Sequence, residues 1–326
     1  MAVQWNHKVF GVSEPGFEAL SLEIFRYQYE NNRVYNKYVK ALGVNPSGIH
    51  TITQIPFLPI RFFKSHPVQT GDFIPEAVFE SSGTTGAVNS RHLVRDLSLY
   101  TESFTRSFTL FYGPVKDWCI IGLLPSYLER SNSSLVYMVN NLITESAHKK
   151  SGFYLDEYDQ LYTVLNELER QEQKTLLIGV TFALLDFAEQ FQPVLKNTVV
   201  METGGMKGRR KEMIRPELHE LLTKSFRITT VHSEYGMTEL LSQAWSTGEG
   251  IFNTPPWMKI LVRDEEDPLL VNETGAGAIN VIDLANVHSC SFIATDDAGK
   301  VFKNRSFEIL GRMDGSDLRG CSLLLV

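Results

Sequence analysis

The 326-residue chain has only three cysteines, Cys119, Cys290 and Cys321. An odd number without paired spacing suits neither a disulfide framework nor a zinc site, so reduced thiols are expected. The eight histidines form no His-x-x-x-His pair, so no metal site is written in the sequence itself. Basic residues are outnumbered 31 to 38, for a net charge of −7, which disfavours a general nucleic-acid binder because phosphate contacts need Lys and Arg. The densest basic cluster, Lys207, Arg209, Arg210 and Lys211, reads as the solvated start of one helix. No apolar run reaches the roughly 18 residues that suggest a membrane span. The N-terminus lacks a basic-then-apolar signal pattern, which makes a cytoplasmic location the expectation. Internal repeats and low-complexity tracts are also missing. At 43% hydrophobic and 21% charged residues the composition is that of an ordinary globular protein, so function has to be read from local motifs.

The chain is long enough for a large core. Apolar and aromatic residues at Phe17, Leu20, Ile24, Tyr27, Val34, Tyr38, Val39 and Leu42 keep helical spacing, predicting a helix over 17–42 ended by Gly43 and Pro46. From Val78 onward short apolar runs alternate with helical patterns. Strands are predicted at 78–79, 118–121, 176–180, 198–201 and 228–231, and helices at 97–111, 132–146, 156–171, 182–191 and 209–223. That alternation argues for an α/β fold with mostly parallel sheets covered by helices. After Pro255-Pro256 short strands separated by Gly, Asp and Asn turns replace it. The expected organisation is a helical N-terminal segment (1–75), an α/β nucleotide-binding core (76–245) and a small β-rich C-terminal subdomain (246–326), all within one domain.

Two stretches carry most of the chemistry. Ser81-Ser82-Gly83-Thr84-Thr85-Gly86 follows the strand-like run Ala77-Val78-Phe79 and consists of glycines and hydroxyls. Glycine lets the backbone approach an anion closely, and the hydroxyls add donors, so the stretch suits a phosphate loop. It is not a Walker loop, since no lysine follows Gly86. A plain turn between a strand and a helix has the same composition. Glu234-Tyr235-Gly236-Met237-Thr238-Glu239 supplies an aromatic face for a base, a hydroxyl for a phosphate and a carboxylate for a hard cation such as Mg²⁺. Those chemistries fit one MgATP, with the metal held through the nucleotide.

With these motifs the chain resembles the adenylate-forming superfamily, which includes acyl- and aryl-CoA ligases, firefly-type luciferases and peptide-synthetase adenylation domains. Thr295-Asp296-Asp297 and Gly311-Arg312-Met313-Asp314 follow in the family's order. The resemblance implies that Ser81, Ser82, Gly83, Thr84, Thr85 and Gly86 cradle the phosphates. It also implies that Thr238 contacts the α-phosphate, Glu239 binds Mg²⁺, and Tyr235 and Gly236 lie at the adenine. Gly204 and Gly205 resemble the Gly-rich turn along the adenine edge, and a simple strand-to-helix turn reads equally well. Asp297 aligns with the carboxylate that holds the ribose, although Asp296 could take that role and Asp-Asp-Ala-Gly is also an ordinary hairpin turn. Arg312 is its partner toward ribose or phosphate, or a solvated strand arginine. For Glu239 the bland alternative is a first-turn helix carboxylate.

A closer resemblance lies outside these motifs. Ile55-Pro56-Phe57-Leu58-Pro59-Ile60-Arg61-Phe62-Phe63-Lys64, Leu124-Pro125-Ser126-Tyr127-Leu128-Glu129-Arg130 and Leu318-Arg319-Gly320-Cys321 look like the acyl-protein synthetases of bacterial bioluminescence, also called long-chain-fatty-acid–luciferin-component ligases. That likeness implies activation of a fatty acid as acyl-AMP, transfer of the acyl group to a cysteine near the C-terminus, and delivery to a reductase or acyl-carrier partner. Cys321 is then the acyl acceptor, or else a small apolar residue of a last strand. Tyr127 and Arg130 would stand near the acid. His232 would line the acyl pocket or serve as a core histidine.

Two departures from the superfamily pattern stand out. The loop usually continues Gly-x-Pro-Lys, whereas Gly86 is followed by Ala87, Val88 and Asn89, with Arg91 as the candidate substitute charge. Most of the superfamily also continues into a mobile lid domain whose lysine completes adenylation, and no such domain is expected here. The expected activity is therefore ATP-dependent acyl-AMP formation followed by transfer to a protein thiol. The rival readings are a CoA ligase of the phenylacetate–CoA ligase type and a non-catalytic nucleotide- or acyl-AMP-binding subunit.

Overall fold

The computed structural model describes residues 5–81, 88–125, 132–155, 157–204 and 213–313. The chain divides into two compact units, one formed by 1–104, 237–243 and 253–316, the other by 105–236, 244–252 and 317–326.

The first unit is built on an antiparallel sheet in the order Val271–Asn272, Met258–Arg263, Gly275–Asp283, Phe292–Val301, Phe307–Arg312, with Leu58–Pro59 lying parallel to Phe292–Val301. Phe292 anchors the N-terminal helices to it, with Phe25, Tyr35 and Phe57 around its ring at centroid distances of 6.2 to 6.3 Å. The single helix predicted over 17–42 is two, Glu14–Asn31 and Arg33–Ala41. Asn32 divides them: its backbone is extended and its side chain accepts from Val34 N and Tyr35 N, capping the second helix. The Asn32 amide donates to Ser289 O at 2.9 Å, so an N-cap also ties the helices to the segment after Asp283. Gln28 grips the same segment, donating to Asn286 O and Val287 O and accepting from Ser291 N. Periodicity alone conceals such a break, because the apolar face continues through it.

Ala77–Glu80 and Arg91–Val94 form a separate two-stranded antiparallel sheet. The strand before the serine- and glycine-rich stretch therefore pairs with the strand after it, and neither belongs to the parallel sheet.

The second unit holds the parallel sheet, in the order Gly152–Phe153, Cys119–Leu123, Thr175–Gly179, Thr198–Glu202, His232–Tyr235, closed by Ala244–Ser246 running antiparallel. Every residue of Cys119–Leu123 and Thr175–Gly179 is buried, as expected for strands covered on both faces. Helices Ser134–Ser146, Tyr158–Arg170, Thr181–Gln190 and Arg215–Phe226 connect the strands. The strand predicted at 228–231 begins four residues later, at His232 opposite Met201. Arg227 ends the preceding helix in the left-handed conformation, and the β-branched run Ile228–Val231 serves as the approach to the sheet. The helix predicted from 209 is Arg215–Phe226, with Pro216 in its first turn where the missing N–H costs nothing. Residues Lys207, Arg209, Arg210 and Lys211 lie outside the described residues.

Candidate functional site

Glu234 and Tyr235 are the last residues of the strand His232–Tyr235, and the chain leaves it through a turn at Thr238-Glu239. No helix starts there; the next element is the strand Ala244–Ser246, so Glu239 is not a first-turn helix carboxylate. The segment Met237–Gln243 belongs to the first unit and is held almost wholly by side chains. The His92 ring Nδ1 lies 2.8 Å from Thr238 O. Asn286 Nδ2 donates to Glu239 O at 2.7 Å. Asp283 accepts from Leu241 N, Ser242 N and the Ser242 hydroxyl at 2.8, 2.9 and 2.6 Å, and also from Ala285 N. Glu239, His92, Asp283 and Asn286 are all fully buried. Burial lowers His92 to about 4, against the pull of the Thr238 carbonyl and the Glu239 carboxylate. Burial likewise raises Asp283 to about 6, against the Ser242 hydroxyl and the three backbone donors.

The same unit carries the acidic pair. Asp296 and Asp297 lie within the strand Phe292–Val301, so the hairpin-turn reading of Asp-Asp-Ala-Gly does not hold. Neighbours on a strand point to opposite faces, and the two carboxylates have different partners. Asp297 stands opposite Arg312 in register, with Oδ1 and Nε 3.5 Å apart and both side chains buried. Arg312 is therefore a buried, paired residue, which rules out the solvated-arginine reading. Asp296 Oδ2 lies 3.4 Å from Arg61 Nε. Arg263, half-buried beside them, donates to Thr295 O, Ile279 O and Asn280 Oδ1. Burial lowers its pKa while Asp296 and Asp297 hold it up.

In the second unit, Glu202 ends the strand Thr198–Glu202 and receives Gly204 N at 2.7 Å; Gly204 has φ +72°, a conformation that favours glycine. Arg215 Nε lies 3.4 Å and His219 Nε2 3.7 Å from Glu202 Oε1. Burial works to raise Glu202, but His219, Arg215 and Ser233 outweigh it and hold the carboxylate at about 2. Glu234 stands on the adjoining strand His232–Tyr235. Burial, then the Glu202 charge, raises it to about 8. Tyr235 is buried with its ring 5.9 Å from that of Phe252, edge-on. The His232 ring Nδ1 lies 3.2 Å from the Tyr112 hydroxyl, and burial followed by the His219 charge lowers His232 to about 4.

A profile of the family described as acyl-protein synthetase, LuxE, matches residues 10–326. The chain belongs to this family. It is an AMP-forming ligase of the kind that activates an acyl group with ATP and transfers it. A 2-hydroxyisobutyryl-CoA ligase, solved with 2-HIB-AMP and CoA in the thioesterification state, superposes with a TM-score of 0.67 at 14% identity, covering 97% of this chain and 72% of that one. The same ligase in an open conformation gives 0.62 at 13% identity, covering 95% and 80%. ATP-bound MatB from Rhodopseudomonas palustris gives 0.55 at 18% identity, covering 72% and 48%. At these identities the likeness establishes the α/β fold of the adenylate-forming ligases. No curated protein sequence matches the chain.

For this acyl-protein synthetase family member, the residues singled out from sequence are placed unevenly. Thr238, Glu239, Asp297 and Arg312 lie in the first unit, and Gly204, His232, Tyr235 and Gly236 in the second. Ser81 closes the base of the hairpin, its hydroxyl accepting from Ser90 N at 2.9 Å. Arg91, the substitute for the loop lysine, is largely exposed and lies 3.6 Å from Glu80, its cross-strand partner. Ser82, Gly83, Thr84, Thr85, Gly86, Tyr127, Arg130, Gly205 and Cys321 lie outside the described residues. Sequence reasoning passed over His92, Asp283 and Asn286, and gave Arg61 and Glu202 no role. In the structure His92 and the buried Val94 share the inward side of one strand, where a polar residue needs a partner.

Proposed function

We propose that the protein converts a fatty acid and MgATP to acyl-AMP and pyrophosphate, and then moves the acyl group onto the thiol of Cys321. Membership of the acyl-protein synthetase family over residues 10–326 carries this reading. In the first step a carboxylate oxygen attacks the α-phosphorus as the bond to pyrophosphate breaks. In the second the Cys321 thiolate attacks the acyl carbonyl and AMP leaves, giving a thioester.

The residue roles follow the motifs. Ser81, Ser82, Gly83, Thr84, Thr85 and Gly86 receive the phosphates, with Arg91 as their nearby cation. Thr238 takes the α-phosphate, Gly204, Gly205, Tyr235 and Gly236 the adenine, and Tyr127, Arg130 and His232 the acid. Asp297 takes the ribose hydroxyls; its pairing with Arg312 favours it over Asp296, whose carboxylate faces Arg61. Among the described residues no group of three or more His, Cys, Asp and Glu side chains could hold a metal unaided. A single carboxylate, Glu239, sharing Mg²⁺ with triphosphate oxygens suits that ion's preference for few protein ligands. Mg²⁺ would offset the negative charge of the triphosphate as pyrophosphate leaves. The acyl group would pass to a reductase or carrier protein in the cytoplasm; no helix among the described residues is long and apolar enough to cross a membrane.

Intact-protein mass spectrometry after incubation with MgATP and acids of increasing chain length tests this reading. The expected result is an acyl mass increment in the wild type that Cys321→Ser abolishes. Accumulation of acyl-enzyme by Cys321→Ser overturns the acceptor assignment. Thioester formation on added CoA faster than self-acylation points to a CoA ligase, and absence of acid-dependent exchange of pyrophosphate into ATP points to a binding subunit.

A further inference from the structure

Thr238 and Glu239 sit in a turn closed, among the described residues, by the main-chain bond from Leu240 N to Met237 O at 3.0 Å. The direction of their side chains therefore depends on what holds their carbonyls. Thr238 O is held by His92 and Glu239 O by Asn286. A carbonyl only accepts, so His92 Nδ1 must carry the proton, and the buried ring is the neutral Nδ1–H tautomer. His92 belongs to Arg91–Val94, the second strand of the hairpin whose connection contains Ser81–Gly86. Its ring also packs against Phe63, edge-on at 5.8 Å. One imidazole thus joins the hairpin bearing the phosphate-loop residues to the turn bearing Thr238 and Glu239.

We propose that His92 is a positioning residue that couples the phosphate-loop hairpin to the Thr238–Glu239 turn, setting the two elements in register on one triphosphate. This rests on the ATP-dependent reading above. The role is geometric: the contribution of the imidazole is to keep the Thr238 hydroxyl and the Glu239 carboxylate aimed relative to the strand Arg91–Val94. Asn286 secures the next carbonyl, so loss of His92 leaves the turn attached but free to rotate about its Thr238 end.

The test compares His92→Ala, His92→Asn and His92→Gln in the full chain. The Asn amide nitrogen can take the place of Nδ1–H, whereas the Gln amide reaches toward Nε2. Acid-dependent pyrophosphate–ATP exchange is measured together with melting temperature. For His92→Ala, kcat should fall roughly tenfold to a hundredfold, the cost of misaligning reacting groups, with the KM for the acid unchanged. His92→Asn should recover most of that loss and His92→Gln little of it. Wild-type exchange in His92→Ala overturns the proposal, as does equal exchange in folded His92→Asn and His92→Gln; the latter comparison decides if His92→Ala does not fold. A wild-type protein without exchange overturns the function. The coupling is then judged on the MgATP-induced rise in melting temperature, which His92→Ala must reduce and His92→Asn restore. Absence of that rise in the wild type overturns both.

Discussion

Asp297 and Arg312 face each other across two antiparallel strands, carboxylate to guanidinium at 3.5 Å, in a place where neither side chain is more than 8% exposed. Removing one partner of a buried pair strands the other charge, which costs about 3 kcal/mol or more. Asp297→Asn should therefore lower the unfolding free energy by that amount, read from urea denaturation, and, on the proposed ribose role, raise the KM for ATP. Asp296→Asn removes a carboxylate that faces half-exposed Arg61 and also acts on half-buried Arg263, so it leaves no fully buried partner stranded and should cost less than Asp297→Asn. Equal effects of the two substitutions on ATP would return the ribose role to an open choice.

Asp283 concentrates four donors on one carboxylate: Leu241 N, Ser242 N, Ala285 N and the Ser242 hydroxyl. Each buried donor left unmade costs about 1–3 kcal/mol. Asp283→Ala is accordingly expected to remove several kcal/mol from a total that is typically about 5–15 kcal/mol, leaving a protein that melts early or accumulates poorly. Ser242→Ala removes one of the four and should cost about 1–2 kcal/mol. If Asp283→Ala melts within a degree or two of the wild type, the carboxylate is not what holds the segment after Glu239.

These cases show which parts of the molecule could be read in advance. The parallel strands were legible because burial on both faces forces continuous apolar runs such as Leu176–Val180, and the segment Glu234–Glu239 stands out in sequence because its residue types are adjacent. What holds that motif was not legible. His92, Asp283 and Asn286 are separated from it by about 40 to 150 residues, and apart from the Ser242 hydroxyl on Asp283 their partners there are backbone atoms, which leave no mark on sequence. The hairpin around Ser81–Gly86 escaped for a related reason: Arg91-His92-Leu93-Val94 lacks the alternation of polar and apolar side chains that announces a strand with one wet face. Asn32 escaped because a cap inside an unbroken apolar stripe looks like one more polar helix position.

Glu202 illustrates a charge that stabilises only when ionised. Arg215, His219, Ser233 and Gly204 N act on it, and its pKa is held near 2 against an ordinary value of 4.5. Its folded-state pKa is below the unfolded one, so the stabilisation is complete above about pH 4.5 and is lost as pH falls toward 2; a shift of this size corresponds to about 3 kcal/mol. Glu202→Gln should therefore be destabilised relative to the wild type at pH 7, with the gap narrowing between pH 4.5 and 2. Denaturant titrations of both proteins across that range give the answer, and a gap that stays constant on acidification would exclude the carboxylate's charge as its source.

Glu234 has the opposite sign, and its neighbour is the reason. Burial and the Glu202 charge raise it to about 8, so between its ordinary 4.5 and 8 the folded protein keeps a proton that the unfolded chain releases. Stability must then fall as pH rises through that window and stay low above it. Glu234→Gln keeps the shape and removes the titration, so its advantage over the wild type should grow from pH 5 to pH 8 and level off beyond. In a Glu202→Gln background the raising charge is gone while burial remains. The Glu234→Gln advantage should then be smaller and should level off at lower pH. The double-mutant cycle followed by chemical denaturation separates the two causes: a Glu234→Gln advantage that is the same in both backgrounds would assign the shift to burial alone.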